Sequence, residues 1–157
     1  MLHADPSRPG WGKNSAYRHG IQGQKGDDGE RIVEQYFDEH GISYTALTDR
    51  YSQATLKIDY HIGESNTPMD VKTNIFKGYL AVELHNSKGG LGWLHTSTAE
   101  VIYAVDRDYH LIYTYGMDDM KAHVAHIMSR GKKAKQAKNG AYLVWISVNT
   151  PFIKHLK

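Results

Sequence analysis

The chain has 157 residues, 40% of them hydrophobic and 23% charged, which suits one globular domain with a single core. No apolar run approaches the roughly 20 residues that cross a bilayer, and the first stretch lacks the apolar centre of a signal peptide, so no membrane partner and a cytoplasmic location are expected. The absence of cysteine excludes disulfides, thiolate metal sites and cysteine nucleophiles and leaves oxygen and imidazole as metal ligands. A net charge of +2 and a pI of about 8.7 lean toward an anionic partner without requiring one.

Residues 1–24 are rich in Gly, Pro and Ser and carry no sustained periodicity, so they read as a partly irregular amino-terminal arm. Trp11, Tyr17 and Ile21 give the arm enough apolar surface to dock on the body or on a second subunit. Residues 25–157 then read as one domain. The first helix is predicted over Asp27 to His40, with Ile32, Val33, Tyr36 and Phe37 on one face and Gly41 as its stop. Glu30 falls at the edge of that apolar face and could look along a sheet. The run Asp27-Asp28-Gly29-Glu30 also fits a capping box, the plainer reading of those four residues alone.

After a short strand at Ser43 to Leu47 and a turn through Gln53, the pattern becomes alternating. Leu56, Ile58, Tyr60 and Ile62 alternate with Lys57, Asp59 and His61; Met69 and Val71 alternate with Asp70 and Lys72. With Gly63 to Asn66 as the hairpin loop, positions whose numbers sum to 129 face each other, which sets Asp59 opposite Asp70. Side chains so opposed lie about 5 Å apart at Cβ, and like charges there destabilise a sheet unless a cation comes between them. The expectation is a divalent-metal site with Lys72 on the same face. The plain alternative is a solvated face on which Lys72 neutralises two acids. A third strand is predicted over Tyr79 to His85; a turn at Ile75 to Gly78 would bring Glu83 opposite Asp70, a placement that a one-residue change of turn undoes.

Asn86 to Gly92 reads as a loop and WLHTSTA as a short helix or turn with Trp93 as a packing anchor. Strands are predicted over Glu100 to Val105 and His110 to Tyr115. A helix with core positions Met117, Met120, Val124, Ile127 and Met128 follows, with Gly131 as its stop. Lys132, Lys133, Lys135 and Lys138 crowd the segment before a last strand, Ala141 to Val148; with Lys25 they are candidate DNA-phosphate contacts, or else a solvated surface. His123 and His126 read as surface or structural residues, His85-Asn86 lacks the rest of a histidine nuclease framework, and His61 can meet phosphate or a neighbouring carboxylate. No Walker-type loop is present, so no nucleotide cofactor is expected. The order of elements describes one α/β domain around a mixed sheet.

Glu30 on a first helix, Asp59 near a strand, and Asp70-Val71-Lys72 on the next strand of a hairpin together resemble the PD-(D/E)XK nuclease superfamily. The stretch QKGDDGERIVEQYFDEHGISY is similar to the start of small Holliday-junction resolvases and phage-type endonucleases. Ile58 stands where the motif has proline, and the second acid is aspartate. The resemblance implies a restriction-endonuclease-like mixed sheet flanked by helices and a metal-dependent DNA endonuclease, structure-selective and homodimeric. It implies Mg²⁺, with Mn²⁺ able to substitute, on Asp59, Asp70 and the Val71 carbonyl. Glu30 would act through water or a second metal, Glu83 as a less secure ligand, and Lys72 on the attacking water and the phosphate. Products would carry 5′-phosphate and 3′-hydroxyl ends. A restriction- or homing-type cutter and a catalytically inactive nuclease fold that binds nucleic acid are the competing readings.

Overall fold

The computed structural model describes residues 21–156, with side chains from residue 27 onward. Most of the amino-terminal arm therefore lies outside the described residues, as does the Lys25 side chain. Helix α1 spans Ile21–Glu39, beginning six residues before the predicted start. It buries Val33 and Phe37 completely, and the chain turns at Gly41, whose φ is +65°. The Ile42 amide donates to the Phe37 carbonyl at 2.9 Å and the Gly41 amide to the Asp38 carbonyl at 3.4 Å. These two bonds close a helix end through a left-handed residue.

Strand β1 (Tyr44–Ala46) is followed by a π-helical turn, Tyr51–Leu56, and then by β2 (Tyr60–Ile62) and β3 (Thr67–Lys72). The turn overturns part of the predicted alternation. Lys57 takes a left-handed φ of 59°, which resets the chain direction. Ile58, with Leu56, packs in a different apolar cluster from Tyr60, the change of side falling at Asp59, where the hairpin register slips. Beyond that reset the hairpin register is the expected one: Tyr60 pairs with Met69, His61 with Pro68 and Ile62 with Thr67.

The chain continues through β4 (Ile75–Phe76), β5 (Tyr79–His85), the short helix α2 (Trp93–Thr96), β6 (Val101–Asp106) and β7 (Leu111–Gly116). Helix α3 (Met117–Ser129), β8 (Lys135–Gln136), β9 (Tyr142–Ser147) and β10 (Lys154–Leu156) complete it. The strands form two sheets. Six run in the order β1-β2-β3-β6-β7-β10, and four in the order β4-β5-β9-β8. The larger sheet is mixed, because β3 and β6 are parallel while its other pairs are antiparallel. No helix among the described residues is long and apolar enough to cross a membrane.

Strand parity explains the layers. From β6, Tyr103 and Val105 join Val33 and Phe37 of α1, Tyr60 and Met69 in one cluster; Ile102 and Ala104 point the other way. They meet Leu80, Val82, Val144 and Ile146 of the smaller sheet and Met117, Met120 and Val124 of α3. The methionines of α3 that sequence periodicity assigned to the core include two that are essentially inaccessible, Met117 and Met120, and one at the surface, Met128.

Candidate active site

Asp59 sits one residue before β2, tied on both sides by backbone bonds. Its amide donates to the Met69 carbonyl at 2.9 Å, and its carbonyl accepts from Leu47 at 2.8 Å. The paired register runs only as far as Tyr60 opposite Met69. The Asp59 amide bonds the Met69 carbonyl one residue out of that register, so Asp59 is not the expected ladder partner of Asp70, although the two carboxyls lie close enough to interact. Where the next backbone bond would form, the Asp59 carboxylate takes over, accepting the Val71 amide at 2.9 Å through Oδ2. The strand pair ends there, and Val71 and Lys72 extend beyond it.

The two carboxyls lie close enough to interact, and the proton affinity of Asp59 is held well above the ordinary carboxylate range. Desolvation is the largest cause; the charges of Asp70 and Glu30 act in the same direction, and the Val71 amide opposes them. Asp70 is 5% exposed. The Lys72 ammonium lies 2.9 Å from Asp70 Oδ2. Burial pulls the Lys72 pKa down, but Asp70, Asp59 and Glu83 outweigh it and the net shift is upward. Lys72 is thus a firmly protonated cation. Its Nζ also stands 5.0 Å from the centroid of the Trp93 ring, within cation–π range.

Glu30 is buried in the interior of α1. The capping-box reading fails, because the helix starts at Ile21 and Asp27 is already helical. Gly29 lets this part of α1 approach the end of β3: a Cβ there would lie 2.5 Å from Thr73 Cγ2 and 3.4 Å from Val71 Cγ1. The charge of Glu30 acts on both Asp59 and the buried Tyr60 hydroxyl, which donates to the Glu34 carboxylate.

Glu83 is not opposite Asp70. Strand β5 belongs to the smaller sheet, where Glu83 pairs with Leu143, because Lys77-Gly78 alone turn the chain and Ile75 and Phe76 pair with Leu80 and Tyr79. Strand β6 occupies the place beside β3. Glu83 Oε1 accepts the Trp93 amide at 3.2 Å and adds negative potential at Lys72. It holds Trp93 and Lys72 in place from the second sheet.

One residue of the site escaped sequence reasoning. Asp70 pairs with Ile102, and Ile102 with Tyr115, so these three lie in one row across β3, β6 and β7. The Tyr115 hydroxyl is buried without a hydrogen-bond partner, and burial and the Asp70 charge both push its pKa up. No local pattern points to Tyr115; only the parallel β3–β6 pairing brings it to the acids.

Among the described residues, no three His, Asp or Glu side chains converge into a ready set of metal ligands. The histidines do not supply one: His123 tilts against Phe152, and His85 packs edge-on against Tyr142. Lys132, Lys133 and Lys135 lie apart from the acids, around a groove of the smaller sheet, and Lys138 is exposed in the following turn. Comparison of the chain with protein-family models, curated proteins and solved structures found no match.

Proposed function

We propose that the chain is a divalent-metal-dependent endodeoxyribonuclease with a restriction-endonuclease-like fold. Its working residues are Asp59, Asp70 and Lys72, with Glu30 beside them. The supporting observation is the Asp59–Asp70 pair at the end of a hairpin, Asp70 buried and Asp59 partly so, in which desolvation and the charge of Asp70 raise the proton affinity of Asp59. Such a pair is short of positive charge. Its oxygen donors suit a hard cation. Asp59 and Asp70 would hold Mg²⁺ or Mn²⁺, with the Val71 carbonyl as a further ligand and Glu30 acting through water or at a second ion. When bound, the metal supplies Lewis acidity toward a phosphoryl oxygen and a more acidic water.

The chain's own residues contribute charge and position. Lys72 carries its proton, so it favours the charge that builds on the phosphate and orients a water through N–H donation, and it is not the resting base. Glu83 and Trp93 restrict where that ammonium can go. Tyr115 places a buried hydroxyl in the row of Asp70, two strands away. Glu83 is absent from the proposed ligand set, because its carboxylate is committed to the Trp93 amide.

A second reading has its own observation. Lys72 already supplies Asp70 with an internal cation, as an inactive nuclease fold retained for nucleic-acid binding would. The deciding experiment is cleavage of labelled linear duplex, single strand, flap and four-way junction, with Mg²⁺, with chelator, and with Asp70→Ala. Magnesium-dependent cutting should fall by at least about 100-fold in the variant. Preference for the junction would mark a structure-selective enzyme, and preference for one linear sequence a restriction- or homing-type cutter. DNA bound equally by both proteins, with no turnover, would refute the nuclease and leave the binding module.

A further inference from the structure

The outer face of the smaller sheet carries a groove of about 500 Å³ that the carboxylate site does not use. Its aromatic wall is Phe76, Tyr79 and Trp145. Phe76 and Tyr79 are 62% and 49% exposed, an unusual state for two aromatic residues paired across a strand ladder. Trp145 pairs with Ala81, whose small side chain leaves room over the indole. The rim is Lys77, Lys132, Lys133 and Lys135, and no acid lines the groove.

These lysines are placed by structure. Lys132 donates its amide to Ile127 at 3.0 Å and Gly131 to Met128 at 3.1 Å, so the end of α3 sets the position of the pair Lys132-Lys133. Lys135 pairs with Leu143 on β9. Lys77 occupies a left-handed position, φ 50°, in a two-residue turn with Gly78, where asparagine or glycine is the easier residue. Its ammonium stands 5.3 Å from the centroid of the Phe76 ring.

We propose that this groove binds single-stranded nucleic acid, the bases stacking on Phe76, Tyr79 and Trp145 and the phosphates meeting the lysine rim. An all-cationic rim selects a polyanion, and exposed ring faces select one with unpaired bases, since a duplex hides its base faces in its own stack. Phe76 lies four residues beyond Lys72, at most roughly 14 Å along an extended chain. A strand held here would therefore run close to the carboxylates. The groove rests on its own geometry and needs no hydrolysis at Asp59 and Asp70.

The test is fluorescence anisotropy of the full chain, in chelator, with a labelled oligothymidylate of about 15 nucleotides, its duplex with oligoadenylate, and polyglutamate as an anionic competitor without bases. The single strand should bind at least about tenfold more tightly than the duplex. Phe76→Ala and Tyr79→Ala, both at exposed positions, should each weaken it about 5- to 150-fold, while Tyr79→Phe keeps it. Lys133→Ala should reduce the salt slope by about 0.7, whereas Lys154→Ala, exposed on β10 of the larger sheet, should bind as the parent does. Equal or tighter duplex binding, indifference to both alanine variants, or equal competition by polyglutamate would overturn the proposal; the last would make the surface a dock for acidic protein. Chelator keeps these outcomes separate from the nuclease reading, which the cleavage panel decides.

Discussion

Asp59 is the residue whose protonation is most tightly linked to folding. Its folded-state pKa lies above the ordinary 3.8, so the folded protein binds the proton more strongly than the unfolded chain does. The contribution to stability is complete below the unfolded value and is lost as pH rises through the folded one. In chelator, Asp59→Asn should therefore be more stable than the parent at and above neutral pH, with a flatter profile from the ordinary carboxylate range upward, as read by urea unfolding. Asparagine retains an oxygen for the Val71 amide. A variant less stable than the parent throughout would show that the carboxylate charge is not the penalty. Lys72→Met removes the cation from Asp70. Because the Lys72 side chain is 23% exposed, the loss should be about 1–3 kcal/mol, below that of a fully dry pair. Adding Asp70→Asn should restore part of it, a non-additivity that a double-mutant cycle measures.

At the scale of elements, two glycines let neighbouring pieces of the chain come close enough to build the site. Gly29→Ala would drive a methyl toward Thr73 Cγ2, 2.5 Å away, and should cost about 1–2 kcal/mol after the helix-propensity gain. Thr73→Ala in the same chain should relieve it, since the obstacle is the tip of a side chain. Gly92→Ala meets the Glu83 carbonyl oxygen at 2.4 Å. That obstacle is backbone. No side-chain change relieves it, so the loss should be larger, about 2–3 kcal/mol by thermal unfolding, and should disturb the Glu83 contact with Trp93. The local elements explain what was legible in the sequence. The apolar stripe of α1 and the period-two pattern of β3 each report burial of one face, and a four-residue loop was enough to set the β2–β3 register. The π-helical turn at Tyr51–Leu56 was not legible, because Leu56 and Ile58 keep the strand period of Tyr60 and Ile62 although they pack in the opposite cluster.

At the scale of the whole molecule, the expected homodimer would give one carboxylate site per DNA strand. The strands from Glu100 to Tyr115 offer no free edge for such a dimer. Their edges are closed, since β6 lies between β3 and β7, and β7 between β6 and β10. The outer strands of the described sheets are β1 and β10 in one and β4 and β8 in the other. Light scattering of the full chain should give twice the monomer mass with junction DNA; a monomer both free and bound would refute the dimer. The α/β class, the hairpin and the nearness of Asp59 to Asp70 were legible in the amino-acid sequence, because each depends on periodicity and on a turn a few residues long. The burial of Asp70, the transfer of Glu83 to the second sheet, the alignment of Tyr115 in the row of Asp70 and the gathering of lysines around Phe76 and Tyr79 were not. Each depends on partners distant in sequence, β3 with β6 and β5 with β9, and no local pattern encodes which distant strand will fill an edge.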